Sequence, residues 1–459
     1  MPGRGRAPHL GAWPGPSRVV AAGTGRARGR IRIGAGMERF VEGNRAALQE
    51  RIQHHQEVHV VMGNEACDLD STVSALALAY FLAQTSPAPK AAFIPVLNIP
   101  RADFPLRTET TFLLQEQGIP AASLIFRDEI DLAGLHRAGL LSLTLVDHNV
   151  LPSTDAALED AVVEVLDHRP LERARGPGCP VTVALVGSCA TLVTERMAQG
   201  PPGVLDRATA TLLHATILLD SINLSPAAGK VTPRDVACVS LLEERFPDLP
   251  ARDTIFRTLQ ATKFDVSGLT TEQMLRKDLK VLSGDELVLA ISAIYVDLET
   301  FLHRPSLLQD LDAFCQAQGY TGLVAMIVPY NESNVLTRQL MVYSQHETFR
   351  NAVCRALEEA TTPALHLQPI PSPWSCITAY NQGNALASRK KVLPILRAAL
   401  VGPGAALGGA EEEVVPPPTP MNSLVEECPL AQAVPPLCPQ DVLERVSRIA
   451  AGQPPGSPK

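Results

Sequence analysis

Val58-His59-Val60-Val61-Met62-Gly63-Asn64-Glu65-Ala66-Cys67-Asp68-Leu69-Asp70-Ser71 is the stretch on which the fold turns. Its first five residues read as a strand and Gly63–Asp70 as a loop. Ser71–Ala83 reads as a helix with Val73, Leu76, Ala77 and Tyr80 on one face. Strand, loop and helix in this order open a parallel α/β sheet. Three further apolar runs also end in acid. Leu141–Val146 meets Asp147-His148-Asn149, Val162–Leu166 meets Asp167-His168-Arg169, and Thr216–Leu219 meets Asp220. Together with Phe93–Leu97 the first two of these supply the Val- and Leu-rich strands that a doubly covered sheet demands. Thr209–Leu219 is apolar at nearly every position and reads equally as helix or strand.

In a parallel sheet the carboxyl ends of the strands share one edge, which is where ligands bind. Runs that end in acid therefore gather carboxylates in one place, where they repel and raise one another's pKa unless cations neutralise them. Aspartate and asparagine oxygens with an imidazole suit Mg²⁺ or Mn²⁺. A helix N-cap explains Asp70 or Ser71 equally well when each is taken alone. The pair Asp68/Asp70 together with two Asp-His dipeptides favours metal. His54, His55 and His59 read as surface histidines. Gly187–Thr191 offers either helix N-terminal amides for an anion or tight helix–sheet packing.

Further out, 46% hydrophobic and 19% charged residues over 459 describe a globular chain, too long for one ordinary core. A net charge of −8 argues against general nucleic-acid binding. Nine scattered cysteines without a Cys-x-x-Cys point to a reducing cytoplasm, with the nucleus also open. No apolar run reaches membrane-spanning length, so no membrane insertion is expected. Residues 1–36 carry seven arginines and no acid, and read as a disordered extension upstream of Met37. Residues 37–240 form the α/β unit, 241–262 a linker with a helical segment near Ala251–Thr262, and 263–400 a smaller α+β domain. In that second domain Leu287–Tyr295 and Leu323–Val328 read as strands. Residues 401–459, with Glu411–Glu413 and Pro416–Pro418, read as a disordered tail with one short amphipathic helix over Pro439–Ala451.

The motifs resemble those of the DHH phosphoesterases, among them the exopolyphosphatases and manganese inorganic pyrophosphatases. The wording Gly63–Ser71, with Thr419-Pro420-Met421-Asn422-Ser423-Leu424-Val425 in the tail, is similar to that of the animal prune proteins. That resemblance implies a parallel-sheet DHH domain followed by a DHHA2-type substrate-binding domain. It implies two divalent cations, Mg²⁺ foremost with Mn²⁺ or Co²⁺ as alternatives. One would be held by Asn64, Asp68 and Asp147, the second by Asp70, Asp147, His168 and Asp220. His148 would assist catalysis. Arg169 stands where pyrophosphatases carry a second histidine, and a guanidinium there can grip phosphate oxygens. Lys280 in Leu275–Lys280, and Arg389 and Lys390 in Ser388–Lys391, match the family's basic substrate-gripping motifs. Read by charge alone, both are a solvated face and a basic loop.

The resemblance implies hydrolysis of phosphoanhydride bonds in short-chain polyphosphate by a water activated between two metals. Two rival expectations stand beside it. One is phosphodiesterase action on cyclic nucleotides or short oligonucleotides. The other is regulation through a tail that binds a nucleoside-diphosphate kinase and other signalling proteins. No Gly-x-x-x-x-Gly-Lys-Ser/Thr loop or Gly-x-Ser-x-Gly elbow supports other chemistries.

Overall fold

The computed structural model describes residues 36–86, 92–172, 178–226, 229–284, 287–328 and 337–401. The expected extension, tail and Pro439–Ala451 helix lie outside these residues, save Gly36 and Val401 at the two edges. The first part runs α1 (Met37–Gln53), β1 (Val58–Met62), α2 (Leu69–Thr85), β2 (Ala92–Leu97), α3 (Thr108–Glu116), β3 (Ile125–Phe126), α4 (Leu132–Arg137), β4 (Leu141–Val146), β5 (Val162–Asp167) and β6 (Val181–Val183). Helices α5 (Cys189–Ala198), α6 (Arg207–Asp220), α7 (Pro233–Arg245) and α8 (Arg252–Phe264) follow. Its sheet is parallel throughout, in the order β3-β2-β1-β4-β5-β6. The chain winds outward from β1 in one direction and from β4 in the other, so the crevice at the switch point opens beyond Met62 and Val146.

Two expectations are corrected here. The ambiguous run before Asp220 is helix α6, so Asp220 ends a helix rather than a strand. Asp206 caps it by accepting from the Thr209 amide at 2.8 Å. Ala208–Leu219 is buried on every side, which erased the periodicity that would have marked a helix. The second correction concerns His59. It lies inside β1, half-buried, 2.7 Å from Thr144 Oγ1 and against the Phe93 ring, and burial lowers its pKa. His54 and His55 are exposed, as expected.

The second part holds α9 (Thr271–Lys277), β7 (Leu279–Ser283), β8 (Val288–Ile294), α10 (Leu298–Leu302), α11 (Leu307–Gln318), β9 (Gly322–Ile327), β10 (Gln339–Tyr343), α12 (Glu347–Glu358), β11 (Leu367–Ile370), β12 (Ile377–Gln382) and α13 (Arg389–Val401). Its mixed sheet runs β11-β12-β10-β9-β8-β7, with only β8 and β9 parallel. Each sheet has a separate apolar core on either face.

Residues 103–109 anchor the second part to the first. Arg276 reaches Asp103 at 2.5 Å, and the buried Lys277 amine donates to the Leu106 carbonyl at 2.6 Å and Thr108 Oγ1 at 3.2 Å. Thr108 in turn donates to the Thr262 carbonyl at 2.7 Å. The segment expected to link the domains is largely helix, comprising the end of α7 and most of α8, and α8 packs on α3 and α6.

Candidate metal centre

The pairing of β1 with β4 sets the site. Met62 lies opposite Leu145, so Asn64 and Asp147 continue side by side past the sheet edge. Asn64 Nδ2 donates to the Asp147 carboxylate at 2.8 Å and to its carbonyl at 3.1 Å. Ser71 Oγ donates to the same carboxylate oxygen at 2.5 Å. Asp147 holds a left-handed backbone, φ 60°, a strained state for a side chain other than glycine and one that clusters at functional sites.

Asp68 caps α2, accepting from the Ser71 amide at 3.0 Å. Asp70, in the first turn of the same helix, is buried. Its oxygens accept from the Cys189 amide at 2.6 Å, the Ala190 amide at 2.8 Å and Ser74 Oγ at 3.1 Å. Of the two readings left open for 187–191, the helix N-terminal amides do meet an anion, and it is the chain's own Asp70 carboxylate. His168 donates from Nδ1 to the Val186 carbonyl at 3.0 Å. That turns Nε2 toward Asp147 Oδ1, 3.1 Å away, and Asp70 Oδ2, 3.8 Å away. The ligand atoms of Asp70, Asp147 and His168 all lie within 4.8 Å of one another.

The electrostatics are those of a crowded anionic site. Burial, then the charge of Asp70, lifts the Asp147 pKa to about 7. Burial likewise raises Asp70 and Asp220, each reinforced by Asp68. Burial alone would lower His168, but the hydrogen bond and charge of Asp147 and the charge of Asp70 outweigh it, raising it to about 10. Asp147 Oδ1 is buried against the His168 ring nitrogen, while among the described residues the buried Asp220 Oδ2 has no hydrogen-bond partner. A buried carboxylate oxygen without a partner, in a cavity wall shared with further carboxylates and a histidine nitrogen, is what a divalent cation would satisfy, and the donor set fits one.

These groups line a cavity of about 580 Å³ with Asp68, Asp220, Arg169, Gly187, Lys230, Thr232 and Lys263. Lys263 was missed in the sequence. Ile255, Leu259 and Lys263 occupy one stripe of α8 at four-residue spacing, so a lysine in an apolar row was the available signal. It is buried, with Nζ 3.9 Å from Glu109.

Other expected residues lie elsewhere. Asn64 Oδ1 accepts from the amides of Ala66 and Cys67 at 3.0 and 3.3 Å, so its carbonyl oxygen closes the loop and only its NH₂ faces Asp147. His148 bonds the Val146 carbonyl at 2.9 Å, its Nε2 is buried, and it does not line the cavity. Asp167 takes the Asn149 side chain at 2.5 Å and the amides of His168 and Arg169 at 2.7 and 3.2 Å, shaping the turn that aims His168. Arg389 is buried in an ion pair with Asp278 at 2.6 Å and donates to its carbonyl at 2.8 Å. Lys280 lies half-buried on edge strand β7, and Lys390 is exposed in the first turn of α13. None of these three lines the cavity.

A parallel sheet with Asp-x-Asp, Asp-His-Asn and Asp-His-Arg at its carboxyl edge, followed by a second α/β unit, defines the class as DHH phosphoesterase-like. The DHHA2 domain family matches residues 257–399. Exopolyphosphatase PRUNE1 of Bos taurus is 51% identical over 450 residues, covering 91% of this chain and 98% of the relative. PRUNE1 of Homo sapiens is 51% identical over 449 residues with the same coverage. Protein prune homolog 2 of Mus musculus is 37% identical over 362 residues, 79% of this chain but 11% of that protein. The chain belongs to the PRUNE1 exopolyphosphatase family.

Proposed function

We propose that this chain is a metal-dependent phosphohydrolase that cleaves phosphoanhydride bonds of short-chain polyphosphate. The observation that carries the reading is the packing of Asp70, Asp147 and His168 ligand atoms within 4.8 Å, with the buried Asp220 Oδ2 in the same cavity wall unpaired among the described residues. The PRUNE1 relatives are named exopolyphosphatases, which supports the substrate class.

Asp68, Asp70, Asp147, His168 and Asp220 would hold the cations, two in number by family resemblance. An almost all-oxygen donor set suits Mg²⁺. Divalent cations there supply Lewis-acid activation of water and of phosphoryl oxygens. Asn64 and Ser71 orient the Asp147 carboxylate, and the α5 amides orient Asp70. Arg169, Lys230 and Lys263 bring positive charge to the cavity wall, where phosphate oxygens would lie. By family resemblance Lys280, Arg389 and Lys390 would grip substrate from the second domain, outside the cavity lining.

The test is orthophosphate release from tripolyphosphate with and without Mg²⁺, beside a cyclic nucleotide. Wild type should release phosphate only with the cation, and Asp147→Ala should lose at least about 100-fold in rate. Hydrolysis unaffected by a chelator would remove the metal reading. Turnover of the cyclic nucleotide alone would move the assignment to a phosphodiesterase.

A further inference from the structure

Helix α7 opens with a capping box, Thr232 as N-cap and Asp235 three residues on. A capping box asks of Asp235 only that it accept from the Thr232 amide, which it does at 2.7 Å. Asp235 does considerably more. Fully buried, it also accepts from the Gly187 amide with both oxygens at 3.0 Å, from Thr191 Oγ1 at 2.6 Å and from Thr232 Oγ1 at 2.7 Å. Gly187 and Thr191 are 48 and 44 residues away in sequence, so these bonds tie α7 to the start of α5. The approach is close. A Cβ on Gly187 would stand 3.2 Å from the Asp235 carboxyl carbon.

Two attachments to the candidate metal centre lie in the run that Asp235 grips. The Val186 carbonyl accepts from His168 Nδ1 at 3.0 Å and so aims Nε2 at the carboxylates. The amides of Cys189 and Ala190 hold Asp70 at 2.6 and 2.8 Å. Asp235 bonds at residues 187 and 191, between and just beyond these attachments. We propose that Asp235 is a positioning residue for the cation site, fixing residues 186–191 so that His168 and Asp70 converge at ligand spacing. The proposal rests on the cation reading of that cluster. If Asp235 only caps α7, its loss lowers stability and leaves cation affinity alone.

The experiment is titration of the full chain with Mn²⁺, free ion being read by electron paramagnetic resonance. Asp235→Asn keeps the side-chain shape but replaces one acceptor oxygen by an NH₂ that cannot accept from Gly187 or Thr232. It should bind Mn²⁺ about 10- to 100-fold more weakly, the usual cost of losing a group that orients a metal ligand. Raised Mg²⁺ should restore most of its phosphate release. Thr191→Val removes one of the bonds and should give a smaller loss in the same direction. Leu311→Ala, in the core of the second sheet, should lose stability yet bind Mn²⁺ as wild type does. Asp147→Ala separates the two readings. If it loses Mn²⁺ while Asp235→Asn binds normally, the positioning role is overturned. If Asp147→Ala binds like wild type, the cation reading falls first. Should Asp235→Asn fail to fold, Thr191→Val decides, and unchanged Mn²⁺ affinity there overturns the proposal.

Discussion

At the scale of single residues, the candidate metal centre is a cluster of buried groups that hold protons more tightly than the unfolded chain does. The fold raises Asp147 from an ordinary 3.8 to about 7, through burial and then Asp70. Metal-free native protein therefore binds that proton more tightly than the unfolded chain, and its stability falls as pH rises across that window. His168, raised from 6.5 to about 10, adds a second fall between those values. In chelator, the melting temperature should drop from pH 4 to pH 7, and Asp147→Asn should flatten that limb. A flat wild-type profile would count against the buried carboxylate cluster. Asn64 is the second residue at issue. An asparagine ligand would make Asn64→His shift metal preference toward Mn²⁺, since imidazole is the softer donor. The placement of Oδ1 on the loop amides predicts instead weaker binding of both ions with unchanged preference. Activity profiles in Mg²⁺ and Mn²⁺ decide it. Asp68, Asp70 and Asp147 were legible as a cluster because each follows a strand of one sheet. The tasks of Asn64 and Asp235 were not, because hydrogen bonds to residues far away in sequence leave no local pattern.

At the scale of elements, the site depends on how helix ends meet the sheet edge. Helix α5 presents its first amides to Asp70, and α6 ends on Asp220, followed by Ile222, Asn223 and Leu224 in left-handed conformations. A β-branched residue such as Ile222 pays about 1 kcal/mol or more to hold that state. The strain lies immediately after the Asp220 carboxylate, in the wall of the cavity. The start of α13 shows a separation of roles. Arg389 ties it to Asp278, the residue between α9 and β7, which also accepts from the Tyr295 hydroxyl at 3.0 Å. Removing one partner of a buried pair typically costs about 3–5 kcal/mol. Arg389→Ala should thus lower the urea midpoint markedly. Lys390→Ala, at an exposed position, should leave stability intact and raise KM for tripolyphosphate without changing Mn²⁺ affinity. Equal midpoints for the two variants would show that the Arg389–Asp278 pair does not hold α13.

At the scale of the whole molecule, the described fold reaches Val401 at the end of α13. No described helix is long and apolar enough to cross a membrane. Removal of residues 402–459 should leave kcat/KM for tripolyphosphate unchanged and, if the tail binds a nucleoside-diphosphate kinase as the family resemblance implies, abolish that binding. Pull-down with both lengths of chain tests this, and partner binding by the shortened chain would move the contact into the folded part. The sequence by itself determined the class of fold and the edge where the acids gather. Strand periodicity and the order strand–loop–helix are local properties, and the carboxyl ends of parallel strands must lie together. Only the tertiary structure decided that the run before Asp220 is a helix, since burial on every face removes periodicity. It alone placed Lys263 in the cavity wall and Arg389 against Asp278. Lys263 is placed by the packing of α8 on α3 and α6, and Arg389 by a residue 111 positions earlier in the chain, and contacts between segments so far apart leave no local pattern.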